Sequence, residues 1–110
     1  MSPGAIDYAT LCDQLDALIQ GPPPARDNAG RAHVERTLTT GYASAMKLEA
    51  ERLRLERKIG EVAAQVSLQN RGAKTEELAD LSLRLSQASG DLDHLRALLT
   101  AARQRISAAA

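Results

Sequence analysis

Apolar residues recur in alternating steps of three and four along the last third of the chain. An average step of 3.5 residues is the period of a helix that packs one face along another helix. The pattern predicts a long helix from about Glu76 to Ser107 with an unbroken apolar seam. Its positions are Leu78, Leu81, Leu85, Ala88, Leu92, Leu95, Leu99, Ala102, Ile106 and Ala109.

A second seam with the same period precedes the first. It is less regular, because Gly41, Arg52 and Gln69 occupy positions that face a partner helix. Two long seams separated by a short polar segment predict two antiparallel helices joined by a tight turn. The positions of this seam are Val34, Leu38, Gly41, Ala45, Leu48, Arg52, Leu55, Ile59, Val62, Val66 and Gln69.

The turn is predicted near residues 70–75, where the sequence reads NRGAKT. Gly72 suits the left-handed position just past a helix end, and Thr75 suits the cap of the next helix. These two residues therefore place the end of one arm and the start of the other.

Two registers between the seams satisfy the spacing. A turn centred near Ala73 sets Gly41 against Ile106, whereas a turn centred on Asn70 sets Gly41 against Leu99. The registers differ by one heptad, so every apolar position has an apolar or tolerated partner in both. The proposed turn residues favour the register centred near Ala73.

The first 20 residues predict a separate short amphipathic helix, with apolar positions at Tyr8, Leu11, Leu15 and Leu18. A Pro/Gly-rich connector follows at residues 21–30, and its Asp27 or Asn28 is suited to cap the next helix. The predicted fold is all-α: a long antiparallel, coiled-coil-like hairpin over residues 31–110. The short helix packs on or near this hairpin, which makes one domain overall.

Composition excludes several classes of protein. No stretch of about 18 apolar residues could span a membrane, and no secretory signal opens the chain, so we expect a cytoplasmic protein. Lys and Arg number 14, as do Asp and Glu, and the formal net charge is zero. We therefore expect no general attraction to nucleic acid or to an anionic membrane.

Residue types that carry catalysis or bind metals are sparse. His33 and His94 fall on outward-facing helix positions and have no second ligand one turn away, and Cys12 is the only cysteine. The sequence also has no glycine-rich loop that could hold a phosphate. We expect no catalytic residues, no metal and no cofactor, and hence a protein that is not an enzyme.

Several large apolar residues lie outside both seams. A two-helix hairpin is too thin to cover them all, so they are the candidate partner contacts. The alternative is that the N-terminal helix covers those between residues 42 and 53. The candidates are Tyr42, Met46, Leu53, Leu83 and Leu98.

Three basic residues are further candidates. Arg52 lies within a seam, where it either reaches outward to Glu49 or Glu56 or sets the register and the choice of partner. Arg71 and Lys74 flank Gly72 and are candidate contacts at the predicted tip.

Together these features predict a non-enzymatic interaction or scaffold module that associates with itself, most simply as a dimer. Two alternatives remain open at the level of sequence. One is a small regulator that binds a helix of another protein, such as a transcription or secretion component. The other is a ligand sensor with a pocket between two copies.

Overall fold

Three α-helices account for nearly all of the described chain. The computed structural model describes residues 7–66 and 71–109, without the side chains of residues 71 and 109. The helices are α1 (Tyr8–Gln20), α2 (Asn28–Val66) and α3 (Arg71–Ala109). α2 and α3 pack against each other and α1 packs on them, which confirms the predicted all-α hairpin with a short additional helix.

α1 has a defined cap at each end. The Asp7 carboxylate accepts a hydrogen bond of 2.7 Å from the Thr10 amide, which satisfies one of the free amides of the first turn. The hydrogen bonds from the Thr10 backbone and side chain lower the pKa of Asp7 below its ordinary value of 3.8. At the other end the Gly21 amide donates to the Ala17 carbonyl at 2.9 Å, and Pro22 cannot continue the helix.

α2 begins at Asn28, earlier than predicted, so the connector comprises residues 21–27 rather than 21–30. Asp27 is the cap: its carboxylate accepts a bond of 2.8 Å from the Gly30 amide. The connector passes very close to this first turn, because a β-carbon on Gly30 would lie 1.8 Å from the Ala25 carbonyl oxygen. Only glycine leaves room for this path.

The predicted turn at residues 70–75 is wrong for residues 71–75, because α3 already begins at Arg71. Gly72 and Thr75 are therefore helical. A glycine inside a helix costs only about 1 kcal/mol, which the rest of a long helix readily offsets. The Lys74 ammonium and the Glu77 carboxylate also form an ion pair of 3.4 Å along this first turn. Residues 67–70, which separate α2 and α3, lie outside the described residues.

The chain divides into two compact units. The three-helix unit consists of residues 1–45 and 94–110, and so contains α1, the start of α2 and the end of α3. Thr37 is buried in this unit, and its hydroxyl donates to the His33 carbonyl at 2.9 Å, so its polar group is satisfied. The buried apolar residues are Leu11, Leu15, Leu18, Leu95, Leu99 and Ala102.

Gly41 shows the register between α2 and α3 in the three-helix unit. A β-carbon on Gly41 would lie 2.6 Å from Leu99 Cδ2 and 3.7 Å from Leu15 Cδ1. The sequence-favoured register, with Gly41 against Ile106, is therefore wrong, and the alternative that pairs Gly41 with Leu99 is confirmed. The missing side chain at Gly41 lets all three helices approach one another at this point.

The two-helix unit consists of Met46–Asp93. Its core is one seam between α2 and α3, in which residues from the two helices alternate. The buried members of the cluster are Leu55, Val62, Leu81 and Ala88, and the half-buried residues Ile59, Leu78 and Leu85 pack against them.

Candidate interaction surface

Most of the predicted contact residues are exposed in the two-helix unit. The exposed fractions are 74% for Met46, 50% for Leu53 and 58% for Leu83. Large apolar side chains are costly to leave in water, at roughly 25 cal/mol for each Å² of apolar surface. These three residues are therefore the strongest candidates for contacts with a partner.

Met46 and Leu53 lie on the side of α2 that faces away from the seam. Leu53 comes two residues before the buried Leu55, which places it about 160° around the helix. Met46 comes seven residues before Leu53, and one heptad shifts a position by only about 20°. The exposed Ala50 lies between them on the same side. We call Met46, Ala50 and Leu53 the outer stripe.

The other two predicted contact residues belong to the three-helix unit and are more covered. Tyr42 is 41% exposed, and Leu98 is half-buried. The alternative in which α1 covers the whole region from Tyr42 to Leu53 is wrong, because Met46 and Leu53 remain exposed. α1 instead reaches the neighbourhood of Gly41, through Leu15.

Arg52 reaches outward from the seam, as one of its two predicted roles requires. Its Nη2 donates to Glu49 Oε1 at 2.8 Å, and about a third of each side chain is exposed. An ion pair this exposed contributes no more than about 1 kcal/mol. The Arg52 Nε is buried and has no hydrogen-bond partner among the described residues, so the placement of this guanidinium carries a desolvation cost.

The two-helix unit carries exposed charges of both signs. Within the two-helix unit, Arg54 pairs with Glu51, and Arg84 pairs with Asp80 at 3.8 Å. Of the predicted tip residues, Lys74 pairs with Glu77 on its own helix, and the Arg71 side chain lies outside the described residues.

Sequence reasoning missed the role of Arg105. Its Nη1 donates to the Leu18 carbonyl at 3.0 Å and its Nη2 to the Gly21 carbonyl at 2.5 Å. These carbonyls belong to the end of α1, where helix carbonyls lack intrahelical partners and the helix dipole favours a cation. Arg105 therefore fixes the end of α1 on α3. A basic residue near the end of α3 was the only local signal for this contact.

Among the described residues, few side chains are of the types that carry out catalysis or bind metals. His33 and His94 are exposed, Cys12 is half-buried, and no group of three or more His, Cys, Asp or Glu side chains is placed to hold a metal ion within residues 7–66 and 72–108. A shallow depression on α2 is open to solvent and lined by that helix alone: Ala32, Glu35, Arg36, Thr39 and Thr40. None of the described helices has both the length and the apolar character needed to cross a membrane.

Comparison with known proteins finds no family model, no curated protein sequence and no solved structure that matches the chain.

Proposed function

We propose that the chain is a non-enzymatic interaction module that associates with itself, as a dimer, through its two-helix unit. The observation that carries the proposal is the outer stripe, with Met46 and Leu53 at 74% and 50% exposure in a unit whose core, among the described residues, is one seam. Contact with a second copy would remove these side chains from water without any change in the hairpin.

The energy balance of the two-helix unit supports the same proposal. Burying one large apolar side chain stabilises a fold by about 1.5–3 kcal/mol. Ordering a residue costs roughly 1.5 kcal/mol, and a single seam leaves many ordered residues without compensating burial. A second copy on the outer stripe would add apolar burial where the unit has least.

Sedimentation at micromolar concentration tests the proposal. We expect the wild type to be a dimer, and Met46→Lys/Leu53→Lys to raise its dissociation constant at least about tenfold, because charge at the centre of an interface is poorly tolerated. The matched control is Ala79→Lys/Ala97→Lys, which adds the same charges at two exposed alanines of α3. A wild type that stays monomeric would refute the proposal.

A second candidate function is binding of an amphipathic helix from another protein. The specific observation in its favour is α1 itself, a 13-residue helix that the hairpin of the three-helix unit accepts through Leu11, Leu15 and Leu18. Isolation of the intact complex from the native cells distinguishes the two. A stoichiometric second protein that is lost in Met46→Lys/Leu53→Lys would favour this candidate. A cytoplasmic location is part of both proposals, and cell fractionation tests it.

A further inference from the structure

The side of α2 that carries the outer stripe continues past Leu53, through the exposed Arg57, to Gly60, a residue without a side chain. Met46, Leu53 and Gly60 are spaced by seven residues, so they lie along one side of α2. Gly60 is exposed, and a β-carbon placed on it would have no atom within 4 Å. One end of this line therefore carries a large side chain, and the other end has open space.

From this asymmetry we infer that two copies pair through α2 in antiparallel orientation, with Leu53 at the two-fold axis. This inference rests on the proposed self-association and adds its geometry. A two-fold axis at Leu53 sets Met46 of each copy against Gly60 of the other. The most exposed large apolar side chain then fills an open position, twice in each dimer.

Charges beside the stripe favour the same orientation. Lys47 and Glu61 are both exposed and lie next to Met46 and Gly60 in the chain. Neither forms an ion pair with another described residue. Antiparallel pairing brings Lys47 of each copy near Glu61 of the other, on the same flank. Parallel two-fold pairing would instead place the two Lys47 side chains on opposite flanks of the interface, where neither lies near Glu61 of the other copy.

Disulfide trapping of the full-length chain tests the orientation, in a Cys12→Ala background. Met46→Cys and Gly60→Cys proteins are mixed in equal amounts and oxidised. We expect mixed disulfides to exceed either self-disulfide by about tenfold, because a disulfide requires β-carbons within about 4.5 Å of each other. Leu53→Cys should cross-link to itself. An excess of Met46→Cys self-disulfides would overturn the antiparallel arrangement.

Gly60→Leu tests the open position independently. The new leucine side chain has no neighbour within the chain, so circular dichroism should show an unchanged helix content. It would occupy the space that Met46 of the other copy fills, so the dissociation constant of the dimer should rise. Gly90→Leu is the matched control, because Gly90 is also exposed with nothing within 4 Å. A Gly60→Leu dimer as tight as wild type would contradict the inference.

Reversing the flanking charges tests the ion pairs. Lys47→Glu should weaken the dimer by about two- to tenfold at low salt, since two exposed pairs are lost and become repulsive. Lys47→Glu/Glu61→Lys should restore the wild-type dissociation constant, and failure to do so would count against the pairing.

A wild-type dimer in which Leu53→Cys does not cross-link would overturn this geometry and leave the proposed function standing, whereas a monomeric wild type would overturn both.

Discussion

The two units of this chain use the same pair of helices and differ in what covers them. In the three-helix unit, α1 inserts Leu11 and Leu15, both at most 1% exposed, against the hairpin. In the two-helix unit, Leu53 and Leu83 are at least half exposed. The comparison teaches that a helical hairpin buries only the residues of its one seam. A third helix is what turns the hairpin into a closed core.

The largest expected effect comes from removing the side chain that α1 places deepest. Leu15 is fully buried, so Leu15→Ala should lower the free energy of unfolding by about 2–5 kcal/mol. Leu81→Ala, in the single seam of the two-helix unit, should fall at the low end of that range, because an open seam collapses around the lost atoms more easily. Urea unfolding followed by circular dichroism measures both.

The control for these substitutions is Leu83→Ala, which removes the same atoms from an exposed position. It should change the free energy of unfolding by no more than about 0.5 kcal/mol. Equal losses for Leu15→Ala and Leu83→Ala would break the contrast between the units.

Arg105→Ala should weaken the three-helix unit alone. It removes two charge-assisted hydrogen bonds to the carbonyls of Leu18 and Gly21, a loss of about 1.5–3 kcal/mol. Hydrogen exchange should speed up in α1 and stay unchanged in residues 46–66. The exposed Arg103 provides the control, since Arg103→Ala should leave α1 protected. Faster hydrogen exchange throughout both units would show that the Arg105 contacts do not stabilise the three-helix unit alone.

Alanine substitutions at two glycines should change the free energy of unfolding in opposite directions. At Gly41 the added methyl would lie 2.6 Å from Leu99 Cδ2, and Leu99 is itself buried, so Gly41→Ala should destabilise the fold by about 1 kcal/mol. At Gly90 the methyl meets nothing, and Gly90→Ala should stabilise by up to about 1 kcal/mol through helix propensity. Thermal melting decides the signs, and a stabilising Gly41→Ala would contradict the observed register.

The smallest effect concerns pH and the cap of α1. Because the folded pKa of Asp7 is lowered, its contribution to stability is present above pH 3.8 and is lost as pH falls through the folded pKa. Asp7→Asn keeps a capping side chain that does not titrate. Protection of the Thr10 amide from hydrogen exchange should therefore fall below pH 3.8 in the wild type more than in Asp7→Asn. Asp13→Asn, on an exposed position, should behave like the wild type.

The helices and the buried leucines of α1 could be predicted from the sequence, because an apolar repeat of 3.5 residues indicates a helix that packs one face against another helix. The position of Met46 and Leu53 outside the seam was predictable for the same reason, whereas their exposure was not, because the sequence left open that α1 covers them. The register was not, because a heptad pattern shifted by seven residues matches itself. Only the close approach of Gly41 to Leu99 distinguishes the two alternatives.

Two other features escaped prediction for different reasons. The turn was misplaced because Gly72 was interpreted as a helix terminator, whereas helix propensity is weak enough for a long helix to include it. The contacts of Arg105 span 84 and 87 residues along the chain. No local pattern encodes a hydrogen bond between residues so far apart, so the candidate surface was visible in the sequence and the attachment of α1 was not.

The pairing of Gly41 with Leu99 limits how this chain can change in length during evolution. A heptad added to α2 after Gly41, without a matching heptad in α3 before Leu99, would move one arm past the other by two turns. The glycine would then face a different side chain, and the space left for Leu99 would be lost. Insertions and deletions in the two arms are therefore tolerated only as coordinated pairs, whereas either arm can accept point substitutions on its outer side independently.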